Sequence, residues 1–352
     1  MNVGAIVARF PARLVLAAPL LFWLAACAPR LQPLLPDVTM PAIEDHRLVM
    51  ADGVGLPLRR WLPQGKPRAI VLALHGFNDY SSAFEEPALA WAKAGIATYA
   101  YDQRGFGQTP QRGIWPGDER LIEDARTAAV LLAARYPGRP FYLLGESMGG
   151  AVLMASAVAP GAPRADGLIL AAPAVWGRES QGPLQSLGLW LTAHTMPWLT
   201  ATGEGFAIVP SDNIEMLRKL SLDPLVIKET RMDAVYGLVG LMDKAYDAAP
   251  DLGGPCLVLY GAHEEVIPPR AALAMLRRLP KAGNPKPAVR LVLYPNGYHM
   301  LLRDLQAAVV VADVLAFIAD PAAPLPSGAE GLAATVVEGD DHSFAAVAGA
   351  RP

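Results

Sequence analysis

One stretch constrains this chain more than any other: Phe141-Tyr142-Leu143-Leu144-Gly145-Glu146-Ser147-Met148-Gly149-Gly150. Its first four residues read as a short buried strand. The small and apolar residues 150–156 read as a helix. Between them stands a single serine with glycines at 145 and 149. A turn this abrupt leaves no room for side chains at the two glycine positions. It also pushes the serine into the open at the end of a strand. The pattern by itself is common, so the strand before it and the helix after it are what give it weight.

Strand and helix patterns alternate through the rest of the chain. Apolar runs at 69–74, 96–101, 141–144, 168–171, 256–260 and 289–294 suit strands buried on both faces. Helical patterns fall at 84–94, 119–135, 271–279 and 300–318. In the second of these, Leu121, Ile122, Ala125, Ala128, Ala129 and Leu132 share one face. Repeated βα units predict an α/β fold, with a mostly parallel sheet and helices on both sides. The alternation stops over about 174–249, which is read as a mainly helical lid inserted after the strand ending near Ala172. No internal repeat is present.

The two ends read differently. Arg9 and Arg13 precede an apolar stretch over 14–26, too short to cross a bilayer comfortably and built like a secretory signal over 1–26. It closes on Leu24-Ala25-Ala26-Cys27, which resembles the bacterial lipobox, whose cysteine is lipidated. Ala28, rather than Asp, follows it. The resemblance implies a cell-envelope protein anchored at Cys27, on the outer membrane and facing the periplasm. Pro29, Pro33, Pro36 and Pro41 then predict an extended linker over 27–45. The Ala-, Gly- and Pro-rich residues 321–352 read as a flexible tail. Cys256, the only other cysteine, reads as a small buried hydrophobe. The net charge of −3 and the absence of any basic run speak against nucleic-acid binding.

A serine hydroxyl is a weak nucleophile until a base takes its proton, and the base needs an acid to hold its tautomer. In α/β-hydrolases the chain order is serine, acid, histidine. Among six histidines, His299 lies in the loop between the last strand and the last helix. Loops at the carboxyl ends of parallel strands converge on one edge of the sheet, where His299 would meet Ser147. His46 and His342 read as incidental, and His194, in the lid, reads as structural. The turn Gly261-Ala262-His263-Glu264-Glu265 supplies the acid. Both Glu264 and Glu265 are candidates, and one of them must be a plain solvated carboxylate. The oxyanion donors read as the N–H of Met148 and the N–H of Phe77, in His75-Gly76-Phe77-Asn78, with His75 bracing that loop.

These pieces, with Tyr101-Asp102-Gln103-Arg104-Gly105-Phe106-Gly107 and Gly297-Tyr298-His299, resemble the monoacylglycerol lipase and lysophospholipase branch of the α/β-hydrolases over roughly 47–318. The segment 222–226 resembles that branch's cap. The resemblance implies an α/β-hydrolase domain over 46–320. It also implies a serine hydrolase that cleaves the esters of small amphiphiles through an acyl-enzyme, without metal or cofactor. The family's acid stands three residues after the glycine and is usually Asp; here that position holds Glu264. Asp102 and Arg104 match a structural turn of the family. Trp176, Trp190, Trp198 and Phe206 of the lid are candidates to line an acyl-chain pocket. Three other readings stay open. An aminopeptidase on the same triad would need an acidic anchor such as Glu204 or Asp212. A thioesterase fits the same residues, and a non-catalytic binding protein fits the fold but not the retained serine and histidine. No feature speaks to the oligomeric state.

Overall fold

The structure, a computed structural model, describes residues 28–202, 208–280, 289–338 and 347, the side chains of 334, 335 and 338 excepted. The signal segment, Cys27, Glu204, Phe206 and His342 lie outside the described residues. Eleven strands are present among the described ones: β1 Ala42–Ile43, β2 Arg47–Val49, β3 Gly55–Trp61, β4 Ala69–Leu74, β5 Ile96–Tyr101, β6 Phe141–Glu146, β7 Gly167–Ala171, β8 Thr200–Ala201, β9 Thr230–Arg231, β10 Cys256–Gly261 and β11 Arg290–Tyr294. Nine of them form one sheet in the order β1-β2-β3-β5-β4-β6-β7-β10-β11. The first three are antiparallel, and β3 pairs antiparallel with β5. From β5 onward every pair is parallel.

Alternation along the strands builds two cores. Ile70, Leu72 and Leu74 of β4 join the cluster that holds α2 (Asp118–Arg135) and α3 (Met148–Val158). Val71 and Ala73 face the other way, toward α1 (Glu85–Lys93) and the helix Ala307–Ala319. Central strands are therefore apolar on both faces, as the continuous runs predicted. Among the described residues, no helix is long and apolar enough to cross a membrane.

The insertion holds α4 (Pro183–Thr195), α5 (Ile214–Leu222) and the short β8–β9 ribbon. The next helix, α6 (Met232–Ala248), packs on α3 and buries Val239, Leu241, Met242, Ala245 and Ala248 in the main core. The lid expected over 174–249 is thus shorter: α6 is part of the body, because its apolar stripe completes the core beside α3.

Two further expectations are corrected. The Pro-rich segment is not a free linker. Arg30 N donates to Asp233 Oδ2 (3.1 Å), and Gln32 N donates to Trp115 O (2.9 Å). Val38 and Thr39 both donate to Ala51 O (2.8 and 3.0 Å). A detached linker would leave its backbone donors to solvent, and here they are spent on the body. The tail expected from 321 is ordered as far as residue 338. After α7 (Pro269–Leu276) and α8 (Ala307–Ala319), the chain forms α9 (Glu330–Glu338), which packs on the edge strand β11. Ala329, Ala333 and Val336 are buried there, and Glu330 makes two hydrogen bonds with Arg290 at 2.9 and 2.8 Å.

Candidate active site

Ser147 sits between β6 and α3 at φ 52°, ψ −116°. A non-glycine residue pays roughly 1–3 kcal/mol to stay in so sparse a region, so the surroundings must enforce it. They do so sterically. A Cβ on Gly149 would stand 2.1 Å from Leu74 O, and one on Gly145 would stand 2.5 Å from the Gly149 carbonyl. Hydrogen bonds from Ser147 N to Ala171 O (2.9 Å) and from Ala174 N to Ser147 O (3.0 Å) hold the turn against β7. The glycines are there because strand and helix touch, and the serine is the residue left at the bend.

His299 follows β11, and Glu264 follows β10. Nδ1 of His299 lies 2.8 Å from Glu264 Oε2, and the two residues are only 6% and 3% exposed. The other oxygen, Oε1, accepts from Val266 N (2.7 Å) and Ile267 N (2.9 Å), so the carboxyl group is held in place from both sides. The neighbouring Glu265 points elsewhere, accepting from Val209 N of the cap at 2.8 Å. Geometry thus selects Glu264 as the partner of His299 and makes Glu265 the solvated one. Burial disfavours the His299 imidazolium. The Glu264 charge and hydrogen bond, with Glu146 behind them, outweigh that and raise the pKa above its ordinary 6.5. Neither Ser147 Oγ nor His299 Nε2 has a hydrogen-bond partner among the described residues. With Nδ1–H donated to Glu264, Nε2 is the bare acceptor. A catalytic serine–histidine bond often tightens only with substrate in place.

The loop after β4 approaches the serine closely: a Cβ on Gly76 would stand 3.3 Å from Ser147 Cβ. His75 fixes this loop. Gln103 N donates to its Nε2 (2.9 Å), so Nδ1 carries the proton and donates to Gly76 O (2.8 Å). Full burial lowers its pKa and keeps it neutral. Asp79 N also donates to Gly76 O (3.3 Å). With that carbonyl held from two sides, the trans peptide turns the Phe77 N–H the opposite way. The N–H groups of Phe77 and Met148 have no acceptor among the described residues, and the second stands at the N-terminus of α3. Two bare donors beside a serine are what a developing oxyanion needs. Asp102, as expected, is structural, accepting from Ser81 N, Ser81 Oγ and Gln108 N at 3.0, 2.5 and 2.9 Å. Arg104 bridges Asp52 and Asp124.

The lid aromatics fall apart as a group. Trp176 is half-buried against the main core. Trp190 and Trp198 are 45% and 57% exposed, and Trp190 stacks on His194 with centroids 4.6 Å apart. None of these three lines the recess beside the oxyanion loop. That shallow recess is walled by Phe77, Phe106, Ile114 and Trp115 from the body and by Ile227 and Ala234. Phe77 packs edge-on to Phe106 at 5.5 Å. The part of the wall missed in the sequence, Phe106, Ile114 and Trp115, lies in the Gly-rich loop between β5 and α2. The available signal was three large apolar side chains, Phe106, Ile114 and Trp115, in a loop that should be polar. Ser147 and His299 do not line the recess; it adjoins the chemistry from the Phe77 side. Among the described residues, no group of three or more His, Cys, Asp and Glu side chains is placed to hold a metal.

Comparison with known proteins follows the same lines. Residues 65–306 match the family model described as serine aminopeptidase, S33. A monoacylglycerol lipase of Mycolicibacterium smegmatis is 27% identical over 287 residues, 78% of this chain and 96% of that protein. The monoglyceride lipase of Homo sapiens is 28% identical over 272 residues, 76% of this chain and 87% of that protein. A soluble variant of the Saccharomyces cerevisiae monoglyceride lipase, solved with a substrate analog, superposes with TM-score 0.64 at 18% identity, over 83% of this chain and 97% of that one. A carboxyl esterase from Bacillus coagulans gives 0.63 at 20%, over 81% and 99%.

Proposed function

The chain belongs to the serine aminopeptidase S33 family, and from that premise we propose a serine carboxylic-ester hydrolase acting on monoacylglycerol, lysophospholipid or similar amphiphilic esters. The observation that carries the reading is the His299–Glu264 bond of 2.8 Å, which leaves Nε2 bare at the sheet edge that presents Ser147. His299 Nε2 takes the proton from Ser147 Oγ as that oxygen attacks the ester carbonyl. The resulting oxyanion lies between the N–H groups of Phe77 and Met148. The C–O bond to the alcohol breaks, and the alcohol leaves with the proton from His299. Water then enters by the same route in reverse roles, giving free acid and free Ser147.

Two features support an amphiphilic substrate. The relatives include proteins named as monoacylglycerol lipases, and the recess beside Phe77 is walled mainly by apolar side chains. The cap also exposes Leu184, Leu187 and Trp190 on α4, with Trp198 just after it, which suits delivery from a lipid phase. A lipid anchor at Cys27, holding the domain at the periplasmic side of the outer membrane, belongs to the same proposal.

The aminopeptidase alternative needs a free carboxylate to hold the substrate amine. One candidate, Asp212, accepts from Leu305 N at 2.9 Å. The test is hydrolysis by the purified chain of p-nitrophenyl esters of graded length, 1-monoacylglycerol, lysophosphatidylcholine, an acyl thioester and aminoacyl p-nitroanilides. Turnover of the oxygen esters, lost in Ser147→Ala, is the expected result. Preference for the anilides or the thioester would replace the reading with one of the alternatives.

A further inference from the structure

The mechanism leaves unused a buried ion cluster directly behind the serine. Arg303, on the segment after His299, donates through Nη2 to Glu146 Oε2 (3.1 Å) and pairs through Nη1 with Asp79 Oδ2 (2.7 Å). All three side chains are at least nine-tenths buried. Each carboxylate stands one short step from a working part of the site. Glu146 is the residue before Ser147. Asp79 donates its own N–H to Gly76 O, the carbonyl whose position aims the Phe77 N–H. Arg303 itself is four residues beyond His299. Asp304, beside it, accepts from Tyr298 N (2.8 Å) and from Ser211 Oγ (2.6 Å).

As a source of stability the cluster is poorly made. Glu146 Oε1 and Arg303 Nε are buried without a hydrogen-bond partner among the described residues. Desolvating three charges is rarely repaid, and apolar residues of the same volume often serve as well or better. What an apolar replacement could not do is fix a direction. A guanidinium is a planar fork that meets two carboxylates at set angles. Here the two carboxylates belong to the nucleophile turn and to the oxyanion loop. Nothing else among the described residues joins them through charge.

We propose that Arg303 is a positioning residue: one buried guanidinium clamps the Ser147 turn, through Glu146, to the Phe77 oxyanion loop, through Asp79, and ties both to the segment that carries His299. The clamp sets the distance between the attacking oxygen and the donor that receives the oxyanion. It acts in the transition state more than in substrate binding, so its loss should appear in kcat rather than KM. The inference rests on Ser147 being the nucleophile but not on which ester the enzyme prefers.

The test uses the full chain and two readouts. One is kcat and KM with p-nitrophenyl butyrate. The other is the rate at which a fluorophosphonate labels Ser147, which needs the serine, base and oxyanion donors but no particular substrate. Arg303→Met alone strands two carboxylates and could fail to fold. The charge-free variant Asp79→Asn/Glu146→Gln/Arg303→Met removes that penalty. It should melt near the parent yet lose about 30-fold or more in kcat and in labelling rate, with KM within about twofold. Arg303→Lys keeps a charge but cannot reach both carboxylates as a fork. It should fold and lose about tenfold in kcat at unchanged KM. Recovery of parental kcat and labelling in a stable charge-free variant, or full kcat in Arg303→Lys, would overturn the clamp. If the parent labels at Ser147 but turns over no ester, the substrate reading fails, while the labelling rates still decide the clamp.

Discussion

His299 is held between opposed influences, and the balance fixes how activity depends on pH. Burial disfavours its protonated form; the Glu264 carboxylate, with Glu146 farther off, favours it more strongly, and the pKa lies above 6.5. A base must be neutral to accept the serine proton. kcat/KM should therefore climb with pH through an apparent pKa above 6.5 and level off on the alkaline side, as a profile from pH 5 to 9 will show. Glu264→Gln removes the largest raising influence. It should shift that inflection downward and cost roughly 10²–10⁴-fold in kcat. Glu265→Gln should leave kcat within about twofold, since its carboxylate only meets Val209 N. The turn that carries Ser147 and the Met148 N–H was legible from its immediate neighbours in sequence, and the loop that carries His299 from its place after the last strand. The choice between adjacent glutamates was open in the residues alone, and only the family position favoured Glu264. It depends on which carboxylate the turn folds back onto its own N–H groups and which one the distant cap captures.

At the scale of elements, the strand–turn–helix around Ser147 has no spare volume. Gly149→Ala would drive a Cβ to within 2.1 Å of Leu74 O. The variant should be insoluble or lose more than about 3 kcal/mol in denaturant unfolding, because backbone cannot move aside as a side-chain tip can. Gly182→Ala, with nothing within 4 Å of the added carbon, should unfold like the parent. The edge strand β11 makes a second case. Ending the chain after residue 328 would remove α9 and uncover that strand. It should lower the melting temperature by several degrees and promote aggregation, read by light scattering during the melt. The central strands were plain in the sequence because burial on both faces demands unbroken apolar runs. The helix α9 was not, since Ala333 and Val336 are buried in a segment whose Ala- and Gly-rich composition imitates disorder. The docked segment 30–39 left no periodic signal either, because an extended chain that bonds through its backbone has none to leave.

The whole molecule is a sheet with its chemistry on one edge and a cap above it, and the division of labour differs from what the sequence suggests. The aromatics of the cap were expected to wall an acyl pocket. Trp190 and Trp198 are largely exposed, and the recess beside Phe77 is walled from the body by Phe106, Ile114 and Trp115. Pocket walls are assembled from residues distant in sequence, here 77, 106–115, 227 and 234, so only part of this one left a local signal. The parallel part of the α/β layering, by contrast, follows from alternation alone and was recoverable, whereas the antiparallel strands β1–β3 were not among the expected ones. The central claim is that Ser147 is a nucleophile activated by His299 and Glu264. Its most direct test is intact-mass spectrometry of the chain after one equivalent of a fluorophosphonate, followed by peptide mapping. The expected result is a single adduct on Ser147, absent in Ser147→Ala and formed at least about 100-fold more slowly in Glu264→Gln. An unmodified chain that still hydrolyses esters, or an adduct on any other residue, would contradict it.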